Sequence, residues 1–258
     1  MQAYTPEIYR AMQAASRTAA ERIVPLLDTL VQPASVVDFG CGTGDWLAAF
    51  TGLGATDVLG YEGEWVDPAL LAVPRSRVNA ADLRRPVALP RQYDLALCLE
   101  VIGHVPAPHD QVLLETLTRA APVVAFSGPI PPQGGIGDDD TNRRWPAHWV
   151  AEFNRRSYVA IDCIRPAILG ESDVPWWFQQ NLFVAVRKEA LPRYPHLVAE
   201  HARHGGRVPA FVHPDCCEQA VAEAGRLRNA SLGGLARGGV HALTTRVRSV
   251  SAVGRRAG

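Results

Sequence analysis

The sequence predicts an α/β protein built on a doubly wound, mostly parallel sheet. Residues 35–39 read as a strand that runs into a glycine-rich turn, and a helical pattern follows from Trp46. Residues 93–100 form a nearly continuous apolar run, which is typical of a central parallel strand covered on both faces. Strand and helix patterns alternate along the chain, and this alternation predicts helical crossovers between parallel strands.

The composition fits one such domain with an appendage. The chain has 258 residues, and its 26 Lys and Arg balance its 26 Asp and Glu, so nothing indicates nucleic acid or an anionic membrane as the main partner. No apolar run is long enough to cross a bilayer, and the N-terminus lacks a signal pattern. Five cysteines without paired spacing indicate a reducing compartment. We therefore expect a cytoplasmic protein, and the lysine-poor composition is typical of a high-GC bacterial gene.

We expect a helical cap over residues 1–32. Apolar residues recur at helical spacing over residues 6–31, and the Thr-Pro pair at their start favours a helix N-terminus. Pro25 is expected to split this stretch into two helices, because proline lacks an N–H and clashes with the preceding turn. Tyr9 of this cap is a candidate substrate contact.

The turn after the first strand is the most informative feature of the chain. Gly40, Gly42 and Gly44 are spaced Gly-x-Gly-x-Gly, and glycine is needed where the backbone turns sharply or lies against a ligand. A strand that feeds such a loop into a helix aims free backbone N–H groups at the crevice. The spacing is not Gly-x-Gly-x-x-Gly, and no Gly-Lys-Ser/Thr follows, which argues against a dinucleotide site and a phosphate-binding P-loop.

Acidic residues follow the next two predicted strands. Residues 57–61 read as the second strand and end at Glu62, and a short third strand leads into residues 81–83, Ala-Asp-Leu. Ligands of doubly wound sheets bind beyond the carboxyl ends of the strands. A carboxylate at that place offers acceptors to both hydroxyls of a ribose.

The second half of the chain carries the remaining elements and one long irregular segment. Residues 128–149 are rich in Gly and Pro and follow a strand. We expect them to overhang the crevice, because long loops inside compact domains are usually functional. The other elements expected here are a helix over 109–120, a helix from Pro146, and strands over 122–127, 158–164 and 182–187.

The glycine-rich turn also carries a family resemblance. Residues 38–45, Asp-Phe-Gly-Cys-Gly-Thr-Gly-Asp, resemble the first motif of class I S-adenosylmethionine-dependent methyltransferases. The resemblance covers about residues 20–190 and implies a Rossmann-like, seven-stranded, mostly parallel sheet ending in an antiparallel hairpin, with S-adenosylmethionine as cofactor. It implies that the glycines bed the methionine part, Asp38 holds the ammonium group and Asp82 accepts from the adenine amino group. The cofactor-binding residues so implied are Asp38, Gly40, Gly42, Gly44, Asp45, Glu62, Gly63, Asp82, Leu83, Leu99 and Glu100.

The segment after the central strand supplies the candidate catalytic histidine. Many members of the resembled family have Glu-x-x-Glu-His here, and this chain keeps Glu100 and His104 but has Gly103 in place of the second Glu. Histidine titrates near neutral pH, so His104 is the candidate general base. Asp45 and Glu62 are further candidates, as groups that bind or deprotonate an amine.

Candidate substrate contacts come from the irregular segment and nearby aromatic residues. Residues 128–149 resemble a segment of a bacterial methyltransferase subgroup that reads roughly Gly-Gly-x-Gly-His-x-Asn-Glu-x-Trp-Pro. The candidates are Tyr9, Asp138, Arg143, Trp145, His148 and Trp176. No metal is expected, because His201 and His204 have no carboxylate or thiolate at ligand spacing beside them.

Three functions stay open at the level of the sequence. The first is methyl transfer to a natural product or metabolite, with no nucleic-acid or membrane partner. The second is an internal displacement on the same fold, in which an amine bound by Asp45 and Glu62 attacks and sulfate or phosphate leaves at the helix N-terminus. The third is a non-catalytic partner subunit that docks through a basic tail.

The expected organisation is a cap, a methyltransferase-like domain and a C-terminal extension. The cap spans residues 1–32 and the domain residues 33–188. Residues 189–258 are expected to form a helical extension and a basic flexible tail, since large apolar residues become rare beyond Asn229. Homo- or hetero-oligomers would form through this extension.

Overall fold

The structure, a computed structural model, describes residues 6–134, 142–226 and 228, with side chains from residue 13 onward. By its internal contacts the chain divides into two compact units, residues 1–216 and residues 217–258. Residues 217–226 of the second unit are helical. The expected tail beyond Asn229 and the candidate Asp138 lie outside the described residues.

Seven strands form one sheet, and the predicted seven-stranded, mostly parallel architecture is confirmed. The order is β3-β2-β1-β4-β5-β7-β6, and only β7 runs antiparallel to its neighbours. The order reverses between β1 and β4, which opens a crevice at their carboxyl ends. The strands are β1 Ser35–Phe39, β2 Asp57–Glu62, β3 Val78–Ala80, β4 Leu95–Leu99, β5 Val123–Ser127, β6 Tyr158–Ile161 and β7 Phe183–Arg187.

Helices cover both faces of the sheet. Along β1 the side chains alternate, so Val36 packs into the core on one face and Val37 into the core on the other. The helices are α1 Pro6–Val31, α2 Asp45–Gly52, α3 Asp110–Ala120, α4 Pro146–Arg155, α5 Arg165–Ile168, α6 Trp176–Asn181 and α7 Pro195–His204. Buried residues of α1, α2 and α7 join the first core, and those of α3 and α4 join the second.

The prediction that Pro25 splits the first helix is wrong. Helix α1 is continuous from Pro6 to Val31 with Pro25 inside it. Pro25 is exposed, whereas Val24 and Leu27 beside it are fully buried against the sheet. The backbone bond that proline removes is therefore lost on the solvent side, where water can satisfy the freed carbonyl, and packing on the opposite side holds the helix together.

The chain beyond the sheet remains packed within the first unit. A separate 3-10 turn over Leu191–Arg193 precedes helix α7. Leu197 of α7 is fully buried and belongs to the same core as α1. Among the described residues, no helix is long and apolar enough to cross a membrane.

Candidate active site

The glycine loop between β1 and α2 lies at the point where the strand order reverses. Gly40, Gly42 and Gly44 have φ angles of +79°, +53° and +81°, a region that side chains with a Cβ rarely adopt. The Gly40 N–H donates to the carbonyl of Tyr61 at 2.7 Å, and the Gly44 N–H donates to the carbonyl of Cys41 at 2.8 Å. The first bond holds the loop against the end of β2, and the second closes the turn within the loop.

Gly40 and Gly42 have different surroundings, and this difference gives a paired prediction. A Cβ on Gly40 would lie 2.3 Å from a methyl carbon of Val101, whereas a Cβ on Gly42 would meet nothing within 4 Å. Gly40→Ala therefore adds overpacking to left-handed strain and is expected to lower the free energy of unfolding by about 3 kcal/mol. Gly42→Ala adds strain alone, about 1–2 kcal/mol. Urea denaturation of both variants measures the difference, and equal losses would contradict the tight approach at Gly40.

Glu62 ends β2 and is bonded to the loop. Its Oε2 accepts from the Gly42 N–H at 2.8 Å, and its Oε1 accepts from the Gly63 N–H at 2.7 Å. Burial raises the pKa of Glu62, and the two backbone N–H groups and the charge of His104 oppose that rise. Each carboxylate oxygen can accept a second hydrogen bond, so Glu62 can hold the loop and still accept from a ligand hydroxyl.

Asp38 lies inside β1, immediately under the loop, and is only 3% exposed. Burial in the first place, and the Glu62 carboxylate in the second, raise the pKa of Asp38 to about 7. A bound cation favours the ionised form of a carboxyl group whose charge is disfavoured by burial and by a neighbouring carboxylate. The part of the crevice beside Asp38 and Glu62 is therefore electrostatically suited to a positively charged ligand.

Tyr61 does not fill the crevice. Its ring stacks on Phe39 with a centroid distance of 5.4 Å, and its hydroxyl donates to the carbonyl of Ala88 at 3.1 Å. Both rings belong to the core on the α3 face of the sheet. Tyr61 is thus part of the fold and leaves the space beside Glu62 to other groups.

Asp45, at the start of α2, is buried and already bonded. Its Oδ2 accepts from the Thr43 hydroxyl at 2.5 Å, and its Oδ1 accepts from the Arg17 guanidinium at 3.2 Å. Arg17 of α1 is a site residue that the sequence reasoning missed. It brings a positive charge to the Asp45 side of the loop, and its side chain is 60% exposed.

The predicted adenine end is more open. The indole of Trp65 lies over Gly63, since a Cβ on Gly63 would fall 2.2 Å from that ring, and Trp65 is 65% exposed. The Asp82 carboxylate is bonded to the Arg84 guanidinium at 2.8 and 3.0 Å, and this bond holds the pKa of Asp82 at about 2. Its role toward adenine stays a prediction. Leu83 and Leu99 are half-buried beside the crevice strands.

His104 ends the 3-10 turn Ile102–His104 that follows β4. It is exposed, and its charge is felt at Glu62, so it lies on the crevice side of the sheet. Asn142 fastens the returning end of the long loop to this turn, because its N–H donates to the carbonyl of Gly103 at 3.3 Å. The end of the long segment therefore lies next to the turn that carries His104.

The candidate substrate residues are not brought to one place. His148 packs edge-on against Trp149, and its charge is felt at Asp110 of α3 rather than at the crevice carboxylates. Arg143 is half-buried and Trp145 is 43% exposed. Trp176 stands edge-on to Trp177 at 5.6 Å, and both are half-buried. The side chain of Tyr9 lies outside the described part, and within that part no cluster of three metal-ligand side chains occurs.

Comparison with known proteins agrees with this geometry. Residues 10–132 match the model of a family described as a methyltransferase domain. That stretch contains the glycine loop, Glu62, the central strand and His104. The chain matches no curated protein sequence.

Solved structures share the fold at low sequence identity. The methyltransferase domain of the bacterial protein CtHen1-C is 18% identical over 67% of this chain and 98% of that chain, with a TM-score of 0.50. A Nostoc punctiforme protein that has been assigned as an O-methyltransferase is 16% identical over 70% of this chain and 59% of that chain, with a TM-score of 0.51. Human N-acetylserotonin methyltransferase is 13% identical over 70% and 55%, with a TM-score of 0.50.

Proposed function

We propose, on the premise that this chain belongs to the class I S-adenosylmethionine-dependent methyltransferase superfamily, that it transfers a methyl group to a small-molecule acceptor. The chain is an enzyme of the methyltransferase class, and its cofactor is S-adenosylmethionine. The acceptor class is our proposal. The observation that most supports methyl transfer is the cofactor site, where the glycine loop, Glu62 and the buried Asp38 are suited to a cationic, ribose-bearing molecule.

The residues present fit the cofactor on structural grounds. Gly42 borders open space where a Cβ would meet nothing within 4 Å, so a ligand can approach the loop backbone. Asp38 would hold the ammonium group, Glu62 the ribose hydroxyls and Arg17 the carboxylate. The bound cofactor supplies an electrophilic methyl group on a sulfonium, and the chain must orient an acceptor in line with it and accept a proton.

A small acceptor is supported by what surrounds this site. The net charge of the chain is zero, whereas enzymes that act on nucleic acid generally present a basic face. Trp176 and Trp177 are half-buried aromatic residues at the start of α6, the helix that leads into β7. Such residues offer apolar contact area to a small organic molecule.

The raised pKa of Asp38 gives a pH prediction for cofactor affinity. In the free protein the carboxyl is mostly protonated below its pKa of about 7, and only the ionised form attracts an ammonium group. Affinity for S-adenosylmethionine is therefore expected to rise about tenfold from pH 5.5 to pH 7. Calorimetry at several pH values measures this rise. In Asp38→Asn it should largely disappear, and an unchanged slope in that variant would contradict the assignment.

Methyl transfer itself is tested with S-adenosylmethionine carrying a tritiated methyl group. The purified protein is incubated with metabolite fractions, and label in small organic products is separated from label in protein and RNA. We expect label only in the small-molecule fraction. Label in RNA or protein, with none in small molecules, would overturn the acceptor class while leaving methyl transfer intact.

The two other functions weighed from the sequence have less support. Internal displacement needs Asp45 as an amine-binding group, but the Asp45 side chain is only 2% exposed and already pairs with a cation, the Arg17 guanidinium. A docking role for the basic tail falls on residues outside the described part of the chain. Methyl transfer is therefore the function that the site favours.

A further inference from the structure

Four polar side chains converge at the carboxyl edge of the sheet, on the side away from Glu62. Glu100 directly follows β4, and Gln133 lies in the segment after β5. Gln180 and Asn181 end α6, just before β7. Because β7 is antiparallel, its start lies at the edge where the parallel strands end. The four side chains therefore border the same crevice as the glycine loop.

Hydrogen bonds join these side chains into one network. The Gln133 amide donates to Oε2 of Glu100 at 3.0 Å, and the Asn181 amide donates to Oε1 of Glu100 at 3.0 Å. The Asn181 amide also donates to Oε1 of Gln133 at 2.9 Å, and the Gln180 amide donates to that same oxygen at 3.1 Å. Two separate amides thus hold both oxygens of the Glu100 carboxylate.

Burial falls across the network from its amides to its carboxylate. Gln180, Asn181 and Gln133 are 0%, 2% and 7% exposed, whereas Glu100 is half-buried. Burying three amides is unfavourable unless each is bonded, and an apolar set would fill the same space without that requirement. A buried amide layer behind a partly exposed carboxylate is the arrangement of a binding site held rigid from behind.

The backbone at Glu100 is also held in an unusual conformation. Its φ angle is +59°, a left-handed conformation that residues other than glycine seldom adopt and that is favoured at functional sites. The Glu100 N–H donates to the Ser127 hydroxyl at 2.9 Å, and this bond ties the residue to the end of β5. The backbone position of Glu100 is therefore fixed, in addition to the orientation of its carboxylate.

The sheet order separates Glu100 from the ribose end of the site. Glu62 ends β2 and Glu100 follows β4, with β1 between these two strands. Two strand spacings correspond to about 10 Å. Val101, next to Glu100, packs against Gly40 of the glycine loop. Glu100 is one of the cofactor-binding residues that the family resemblance implies, but it lies on the β5 side of the glycine loop, away from the ribose end of the site.

We propose that Glu100 binds the acceptor group of the substrate and, in place of His104, takes its proton, with Gln133 and Asn181 as positioning residues. This inference rests on the proposed function. The acceptor's oxygen or nitrogen forms a bond to the methyl carbon while the carbon–sulfur bond breaks and its electron pair goes to sulfur; the acceptor's proton passes to the Glu100 carboxylate. The substrate class that follows is a hydroxyl or amine on an uncharged or cationic molecule. A carboxylate acceptor has no proton to give and would be repelled by the carboxylates of the crevice.

The first test separates this role from cofactor binding. Glu100→Gln keeps the shape of the side chain and removes its charge, and Glu115→Gln, at an exposed position of α3, is the matched control. We expect calorimetry to give affinities for S-adenosylmethionine within threefold of wild type for both variants. A tenfold or greater loss in Glu100→Gln alone would overturn the proposal, because Glu100 would then serve the cofactor. Absence of binding by the wild-type protein would instead count against the proposed function.

The second test locates the acceptor without knowing the substrate. Crystals grown with S-adenosylhomocysteine are soaked with small phenols, alcohols and amines and with carboxylic acids of the same skeletons. We expect hydroxyl or amine groups within hydrogen-bond distance of Glu100 and no carboxylate there. If no hydroxyl or amine fragment reaches Glu100, the proposal is overturned. Crystals without S-adenosylhomocysteine test the same contact should the cofactor fail to bind.

Turnover then tests the positioning residues. With any acceptor that the wild type methylates, Glu100→Gln is expected to lower kcat at least 100-fold. Asn181→Leu removes one of the two donors and is expected to lower kcat about tenfold with the KM for S-adenosylmethionine unchanged. Unchanged kcat in Glu100→Gln would contradict a proton-accepting role, and a rise in that KM would indicate a structural role for Asn181.

Discussion

Glu62→Gln is expected to weaken S-adenosylmethionine binding about 30- to 1000-fold. The carboxylate accepts backbone N–H groups from Gly42 and Gly63, and hydrogen bonds to a charged group contribute about 1.5–3 kcal/mol each. An amide has only one accepting oxygen, so its NH₂ would face one of the two backbone donors. The variant therefore loses a charged acceptor for the ribose hydroxyls. It also weakens the hydrogen bonds that hold the glycine loop, against which the rest of the cofactor would lie.

Glu64→Gln is the matched control for this experiment. Glu64 lies two residues further along, is exposed, and is expected to leave the affinity within twofold of wild type. Calorimetry of the wild type and both variants makes the comparison at one pH and salt concentration. Equal affinities for the wild type and Glu62→Gln would contradict the assignment of Glu62, provided that circular dichroism shows all three proteins folded.

Arg165→Met is expected to lower the free energy of unfolding by about 3–5 kcal/mol. Arg165 is 3% exposed and bonds both oxygens of the buried Asp162 carboxylate, at 2.8 and 2.5 Å. It also donates to the carbonyls of Gln180 and Pro209 at 2.8 and 2.9 Å. Methionine fills the same space but leaves Asp162 as a buried, uncompensated charge.

Arg203→Met provides the contrast, because it removes an ion pair of the same type from the surface. Arg203 pairs with Glu200 on α7 and its side chain is 67% exposed, so its loss is expected to change stability by less than about 1 kcal/mol. Urea denaturation of both variants gives the two values. Similar losses would mean that burial does not govern the Asp162–Arg165 pair.

The fold follows from local sequence patterns, which explains why it is predictable. The apolar run that forms β4 and the alternation along β1 are signals that depend on neighbours in the chain. Pro25 shows the limit of such reasoning. Its local tendency breaks a helix, but tertiary packing of Val24 and Leu27 overrides it.

The site is predictable where a motif carries it and hidden where distant residues build it. The glycine spacing points to the loop, and Glu62 lies where a strand end predicts it. Arg17 reaches Asp45 across 28 residues of sequence, and Asn181 reaches Glu100 across 81. No local pattern encodes those pairs. The only sequence signal for the second was a run of polar amides directly before an apolar strand.

A crystal structure of the protein with S-adenosylhomocysteine tests the central claim most directly. The account predicts the nucleoside beyond the ends of β1 and β2, with both ribose hydroxyls hydrogen-bonded to Glu62 and the amino group beside Asp38. A clear structure in which the ligand lies elsewhere, or in which those two carboxylates contact no part of it, would contradict the account.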